Sequence, residues 1–307
     1  MQQSKIRFKN IDIARGLGIL IVIAWHCKLA NYGETMWVMP LFFFIMGLFY
    51  KQPDSFLVIV KKKTNHLLIP FIIYSIPYAI YFLIKNPKNL VYVIFNPYKI
   101  LNGPSWFLIC MFECYCLYYL INKIREPFKG IAVLLISLFG FYLRNLSMFH
   151  HHIILPFFFN TTMTVLAFIY LGDKLKKIIL NKYNWKQNLF LCCTLIIIFI
   201  ITDYFIGMKS IDMFWNKYDQ SYPIVLFNSV IGIIFVIFLG CFIPNCFSII
   251  GEISLLILLT HSYFYNILGG YIKGIPLFIT TSVLSIGLSY TIYRYVPALS
   301  GEKKFIK

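Results

Sequence analysis

Apolar runs of about 18 residues or more recur from one end of this chain to the other, each long enough to cross the hydrocarbon core of a bilayer as a helix. A chain that carries so many is not a soluble globule. Of its 307 residues 60% are hydrophobic, 19% aromatic and 13% charged, against about 25% charged in an ordinary soluble domain. The expected fold class is all-α, a polytopic transmembrane helical bundle forming one integral membrane domain over residues 1–307. About ten spans are read, at 13–30, 35–50, 66–84, 105–122, 130–147, 153–172, 189–206, 223–243, 251–270 and 275–295.

Charge then sets the orientation. The formal net charge is +17, from 28 Lys plus Arg against 11 Asp plus Glu. The cations gather in short segments between apolar runs, which fits loops facing an anionic leaflet and leaves no basic domain for nucleic acid. With the N-terminus inside, nineteen are cytoplasmic: Lys5, Arg7, Lys9; Lys51, Lys61, Lys62, Lys63; Lys123, Arg125, Lys129; Lys174, Lys176, Lys177, Lys182, Lys186; and Arg294, Lys303, Lys304, Lys307. Eight lie outside (Lys28, Lys85, Lys88, Lys99, Arg144, Lys209, Lys217, Lys273), and Arg15 falls within the first span. That asymmetry puts both termini in the cytoplasm. Lys5, Arg7 and Lys9 precede an apolar stretch as in a signal peptide, but Arg15 interrupts it and no small-residue cleavage site follows, so it reads as a retained first helix.

The eight cysteines lack the spacing of a disulfide framework or a zinc site and read as packing residues. His150, His151 and His152 belong to an outer loop, and adjacent histidines point in different directions, so no metal is expected. The outer segment at about 207–222 carries Asp212, Trp215, Tyr218, Asp219 and Tyr222. That mix suits either stacking on sugars or an interfacial aromatic belt. No internal repeat is visible, nor the paired broken helices of many transporters.

Ionisable groups inside a bilayer are costly and functional by default. Arg15 and His26 are eleven residues apart, which at about 100° and 1.5 Å per residue puts them on one helix face about 16 Å apart. Arg15 then sits near the cytoplasmic boundary and His26 in the outer half of the bilayer. Singly they read as a snorkelling cation and an interhelical hydrogen-bonding group; two on one face favour a functional site. Asp12 is a salt-bridge partner for Arg15 or a helix N-terminal charge, and Gly16 and Gly18 let a helix or ligand approach. Glu113, in the fourth span, lies at about the depth of His26; it either orients and charge-stabilises that histidine or is a carboxyl group kept neutral by apolar surroundings. His261, in the ninth span, reads as a packing histidine or as a site residue. Lys61, Lys62, Lys63 and His66 lead into the third span, as a positive-inside anchor or as a phosphate dock built on ammonium groups and a helix N-terminus.

Together these residues carry a family resemblance. Arg15 and His26, with ten residues between, resemble the signature of the acyltransferase family 3 membrane O-acyltransferases. Phe42-Phe43-Phe44-Ile45-Met46-Gly47-Leu48-Phe49 is similar to the family's second-helix aromatic segment, and Lys63 through Pro70 to its basic approach to the third helix. Gly103-Pro104-Ser105-Trp106-Phe107-Leu108 resembles its Trp-Phe-Leu segment, and Ile250-Gly251-Glu252-Ile253-Ser254 through His261 its Gly-x-Ile-Ser to Leu-x-His stretch. Met46 stands where a serine often precedes the glycine, and Lys63 and His66 where arginines are frequent. The order of motifs and the span count resemble the short, stand-alone members.

The resemblance implies transfer of an acyl group, usually acetyl, from cytoplasmic acyl-coenzyme A to a hydroxyl of a glycan or lipid-linked saccharide at the outer face of a bacterial cytoplasmic membrane. A cation near the cytoplasm and a histidine about 16 Å further out fit such a donor and acceptor. His26 would act as general base, Glu113 would orient it, and Arg15, Lys61, Lys62, Lys63 and His66 would hold the donor phosphates. Trp106 and His261 would lie on the acceptor side, with membrane lipid around the whole. The rival reading is a transporter or exporter of a small polar solute, using the same buried charges as a binding or proton-relay chain.

Overall fold

The computed structural model describes residues 7–30, 36–85, 103–145, 155–181, 190–191, 193–198, 201 and 211–301. Helix dominates them. In chain order they form α1 (Lys9–His26), α2 (Val38–Leu48), α3 (Phe56–Lys63), a π-helical turn (Thr64–Leu68), α4 (Ile69–Lys85), α5 (Trp106–Ile121), α6 (Phe128–Asn145), α7 (Phe159–Ile179), α8 (Tyr222–Leu239), α9 (Ser248–Glu252), α10 (Ser254–Leu268) and α11 (Gly274–Tyr295). Two short strands, Ile211–Asp212 and Lys217–Tyr218, pair as a hairpin. A helix falls on each apolar segment expected to be a span; within 189–206 the described residues, 190–191, 193–198 and 201, are helical, while His150, His151, His152 and most of 85–104 lie outside the described residues.

Among the described residues three helices are long and apolar enough to cross a membrane: Gly103–Ile121, Tyr222–Leu239 and Gly274–Tyr295. Asn245–Glu252 with Ser254–Leu268 adds a fourth if the broken pair is one span, and Val38–Leu48 and Phe128–Leu143 are apolar but shorter. Charge and proline set the other helices apart. Lys9, Asp12 and Arg15 load the start of α1, Asp173, Lys174, Lys176 and Lys177 load the end of α7, and α4 carries Pro77 inside its 17 residues.

The chain divides into two compact units, Met1–Tyr50, Phe168–Ile211 and Tyr218–Ser254 in the first, and Lys51–Ala167, Asp212–Lys217 and Leu255–Lys307 in the second. In the first, Ile11, Ile19, Ile23, Leu41, Phe43, Phe44, Leu48 and Phe168 are fully buried. Its helices approach through glycine. A β-carbon on Gly47 would lie 2.0 Å from the Ile169 carbonyl oxygen, and one on Gly172 would lie 2.1 Å from that of Phe44. This reciprocal small-residue contact is how helices pack when lipid, as apolar as leucine, gives them no hydrophobic reason to associate.

In the second unit α11 is inside-out by the standard of a water-soluble helix. It buries Leu277, Thr281, Ser282, Ser285 and Ser289, and exposes Ile275, Ile279, Val283, Leu284 and Leu288. Two of these hydroxyls are hydrogen-bonded, Ser285 to the Thr281 carbonyl of its own helix at 2.6 Å and Ser289 with Thr260 Oγ1 of α10 at 3.1 Å. An aliphatic exterior over a hydroxyl-lined interior is the pattern that a lipid solvent favours.

Candidate active site

In the first unit the site is built on α1. The helix closes at His26 through paired backbone bonds, Leu29 N–H to the Ala24 carbonyl (2.9 Å) and Lys28 N–H to the Trp25 carbonyl (3.0 Å), with Lys28 in the left-handed region at φ 59°. This is a Schellman closure, and it fixes His26 as the last helical residue. Arg15 lies three turns earlier. Its Nη1 donates to Asp12 Oδ1 at 3.3 Å, so Asp12 is its salt-bridge partner, and its Nη2 donates to Ser254 Oγ at 3.1 Å. Nearby, Arg7 Nη1 lies 2.5 Å from Glu252 Oε1.

Glycine makes the Ser254 contact possible. Gly16 faces Gly251 and Ile250, and a β-carbon on Gly251 would lie 1.7 Å from the Asp12 carbonyl oxygen. Only a residue without a side chain lets α1 and α9 close this far. Ser254 was not singled out from the sequence as a partner of Arg15, although it ends the Gly-x-Ile-Ser stretch.

In the second unit Glu113 lies on α5, where Thr162 of α7 donates its hydroxyl to Glu113 Oε2 at 2.7 Å. Thr162 has one hydroxyl proton. With that proton on the carboxylate, Cys110 Sγ, 3.3 Å from Thr162 Oγ1, is the donor of its own bond. Two residues beyond Glu113, the Tyr115 ring supports Lys63, whose Nζ is 3.4 Å from the ring centroid. Burial brings the Lys63 ammonium down to about 8, while the ring face favours its charged form. Thr162 and Tyr115, the partners of Glu113 and Lys63, were not singled out from the sequence; the polar run Asn160-Thr161-Thr162 within the apolar segment 153–172 was the available signal.

The lysine run differs from expectation in one respect. Helix starts at Phe56, where Ser55 Oγ accepts the Val58 N–H at 3.4 Å, so Lys61, Lys62 and Lys63 form the last turn of α3 and not the approach to a helix start. What they offer an anion is charge, without a helix N-terminus. The chain continues through the π turn that holds His66, where Asn65 Nδ2 donates to the Lys61 carbonyl at 2.9 Å. The sequence pattern hides this because a π turn keeps the rod continuous while shifting its register.

Trp106 is buried against Phe158 (ring centroids 5.5 Å) and against Phe214 (6.0 Å), which lies beside Trp215 between the two short strands. His261 is fully buried on α10, with Nδ1 3.0 Å from the Ile257 carbonyl. A carbonyl only accepts, so Nδ1 carries the proton and Nε2 is the acceptor tautomer. Arg15 and His26 therefore belong to the first unit, and Glu113, Lys61, Lys62, Lys63, His66, Trp106 and His261 to the second. Among the described residues no group of three or more His, Cys, Asp or Glu side chains converges as a metal site.

A family model described as an acyltransferase domain, that of acyltransferase family 3, matches residues 8–294. The chain belongs to this family of membrane acyltransferases. No match emerged among curated proteins or among solved structures.

Proposed function

We propose that the protein is a membrane O-acyltransferase that moves an acyl group, acetyl in the simplest case, from cytoplasmic acyl-coenzyme A to a hydroxyl of a cell-surface glycan or lipid-linked saccharide. The observation that carries this reading is α1 itself, with Arg15 held by Asp12 and Ser254 at one level and His26 closing the helix eleven residues on. That helix spaces an anion-binding group and a proton acceptor by about 16 Å. The apolar runs support about ten spans in one domain over residues 1–307, the cation asymmetry supports both termini in the cytoplasm, and the family resemblance supports a bacterial cytoplasmic membrane.

Chemically, His26 takes the proton of the acceptor hydroxyl as its oxygen attacks the thioester carbonyl. The carbon–sulfur bond breaks and coenzyme A leaves as the thiol once protonated. General-base assistance of this kind is worth about 10²–10⁴-fold. Arg15, Lys61, Lys62, Lys63 and His66 hold the phosphates, Glu113 supplies the carboxylate of the site, and Trp106 and His261 serve the acceptor side. The test is acetyl-coenzyme A turnover by the purified protein in nanodiscs, read as released thiol, with a saccharide fraction from a bacterial envelope as acceptor. Saccharide-dependent thiol release is expected. Absence of release together with uptake of a polar solute would move the transporter reading ahead.

A further inference from the structure

Arg15 is the cation on which the donor reading rests, and two unlike side chains help to set its orientation. Asp12, one turn before it, takes Nη1 at 3.3 Å; Ser254, 239 residues away, takes Nη2 at 3.1 Å. The Ser254 residue is buried, at 3% exposure, while the Arg15 side chain keeps 29%. Contacts to both terminal nitrogens fix the plane of a guanidinium that a single contact leaves able to turn.

The difference between the partners has a consequence for charge. Asp12 already offsets one positive charge. A second carboxylate on Nη2 would make the group net negative and repel a phosphate, whereas a hydroxyl orients the guanidinium without adding charge. The neighbouring carboxylate of Glu252 is instead engaged by Arg7 at 2.5 Å. Ser254 reaches Arg15 because Gly251 lets the Asp12 backbone close on α9. Glycine and serine thus act as one device, the first setting the approach and the second using it.

We infer that Ser254 is a positioning residue of the donor site: it holds the Arg15 guanidinium in the orientation that meets the phosphates of acyl-coenzyme A. This rests on the donor-site reading of Arg15. Preorganising a charged group by a buried hydrogen bond should be worth about three- to tenfold in affinity.

The test is the dissociation constant of coenzyme A for the full-length protein in nanodiscs, for the parent, Ser254→Ala, Arg15→Ala and the double variant. Ser254→Ala should bind about three- to tenfold more weakly and Arg15→Ala more weakly still. The double variant should be no weaker than Arg15→Ala, because Ser254 acts only through that side chain. Parent-like binding by Ser254→Ala, or a further loss when it is added to Arg15→Ala, would overturn the inference. If Ser254→Ala is not recovered folded, the near-isosteric Ser254→Cys serves, since a thiol is a weak acceptor and should also bind more weakly; parent-like binding there has the same overturning force. A parent that does not bind coenzyme A would instead bring down the donor-site reading itself, an outcome distinct from the loss of Ser254 alone.

Discussion

A carboxylate that takes a hydroxyl hydrogen bond from a neighbouring helix has one oxygen fixed in place, and Thr162 does this for Glu113 at 2.7 Å. Glu113→Gln keeps an oxygen that accepts that bond while it removes the charge and turns the second oxygen into an NH2 donor. Turnover should fall by about 10- to 100-fold with yield and coenzyme A affinity unchanged; parent-like turnover would return Glu113 to a packing role. Lys63 offers a test through pH. With its ammonium brought down to about 8, it is mostly charged at about pH 7 and mostly neutral at about pH 9. Coenzyme A affinity should therefore weaken as pH rises through that window, and Lys63→Arg should hold its affinity further, because a guanidinium stays protonated. A parent affinity that is flat across the window would remove Lys63 from the donor site.

At the scale of the elements, the contact of α1 with α9 is the most exacting in the described first unit. Gly251→Ala places a β-carbon 1.7 Å from a backbone oxygen, so the helices must part. The cost should be about 1–3 kcal/mol, the range of overpacking, seen as a lower unfolding temperature in detergent and weaker coenzyme A binding, since Ser254 moves with α9. Gly287→Ala is the control, for nothing lies within 4 Å of its β-carbon; alanine in a helix interior should be neutral or stabilising there. Equal effects of the two substitutions would refute this view of the packing. Helices and their apolar runs are legible in the sequence because periodicity and length are local properties, and Arg15 and His26 share a face by the same arithmetic. The Arg15–Ser254 bond is not legible, because a contact across 239 residues leaves no local pattern. The start of α3 was signalled by Ser55, a helix-capping serine ahead of an apolar residue, but the lysine run drew attention to the later boundary.

For the whole molecule, the central claim is that donor and acceptor are served from opposite faces of the membrane. It rests on the cation asymmetry and on a helix with its arginine and histidine about 16 Å apart. The direct measurement uses sealed proteoliposomes with an envelope saccharide fraction trapped inside and acetyl-labelled coenzyme A added only outside. Whatever the mixture of orientations, only molecules with their cytoplasmic side outward can take the donor. Label should appear on the trapped saccharide with the parent protein and not with His26→Ala, which should still bind coenzyme A. Label confined to saccharide supplied on the donor side, or equal labelling by His26→Ala, would contradict the claim.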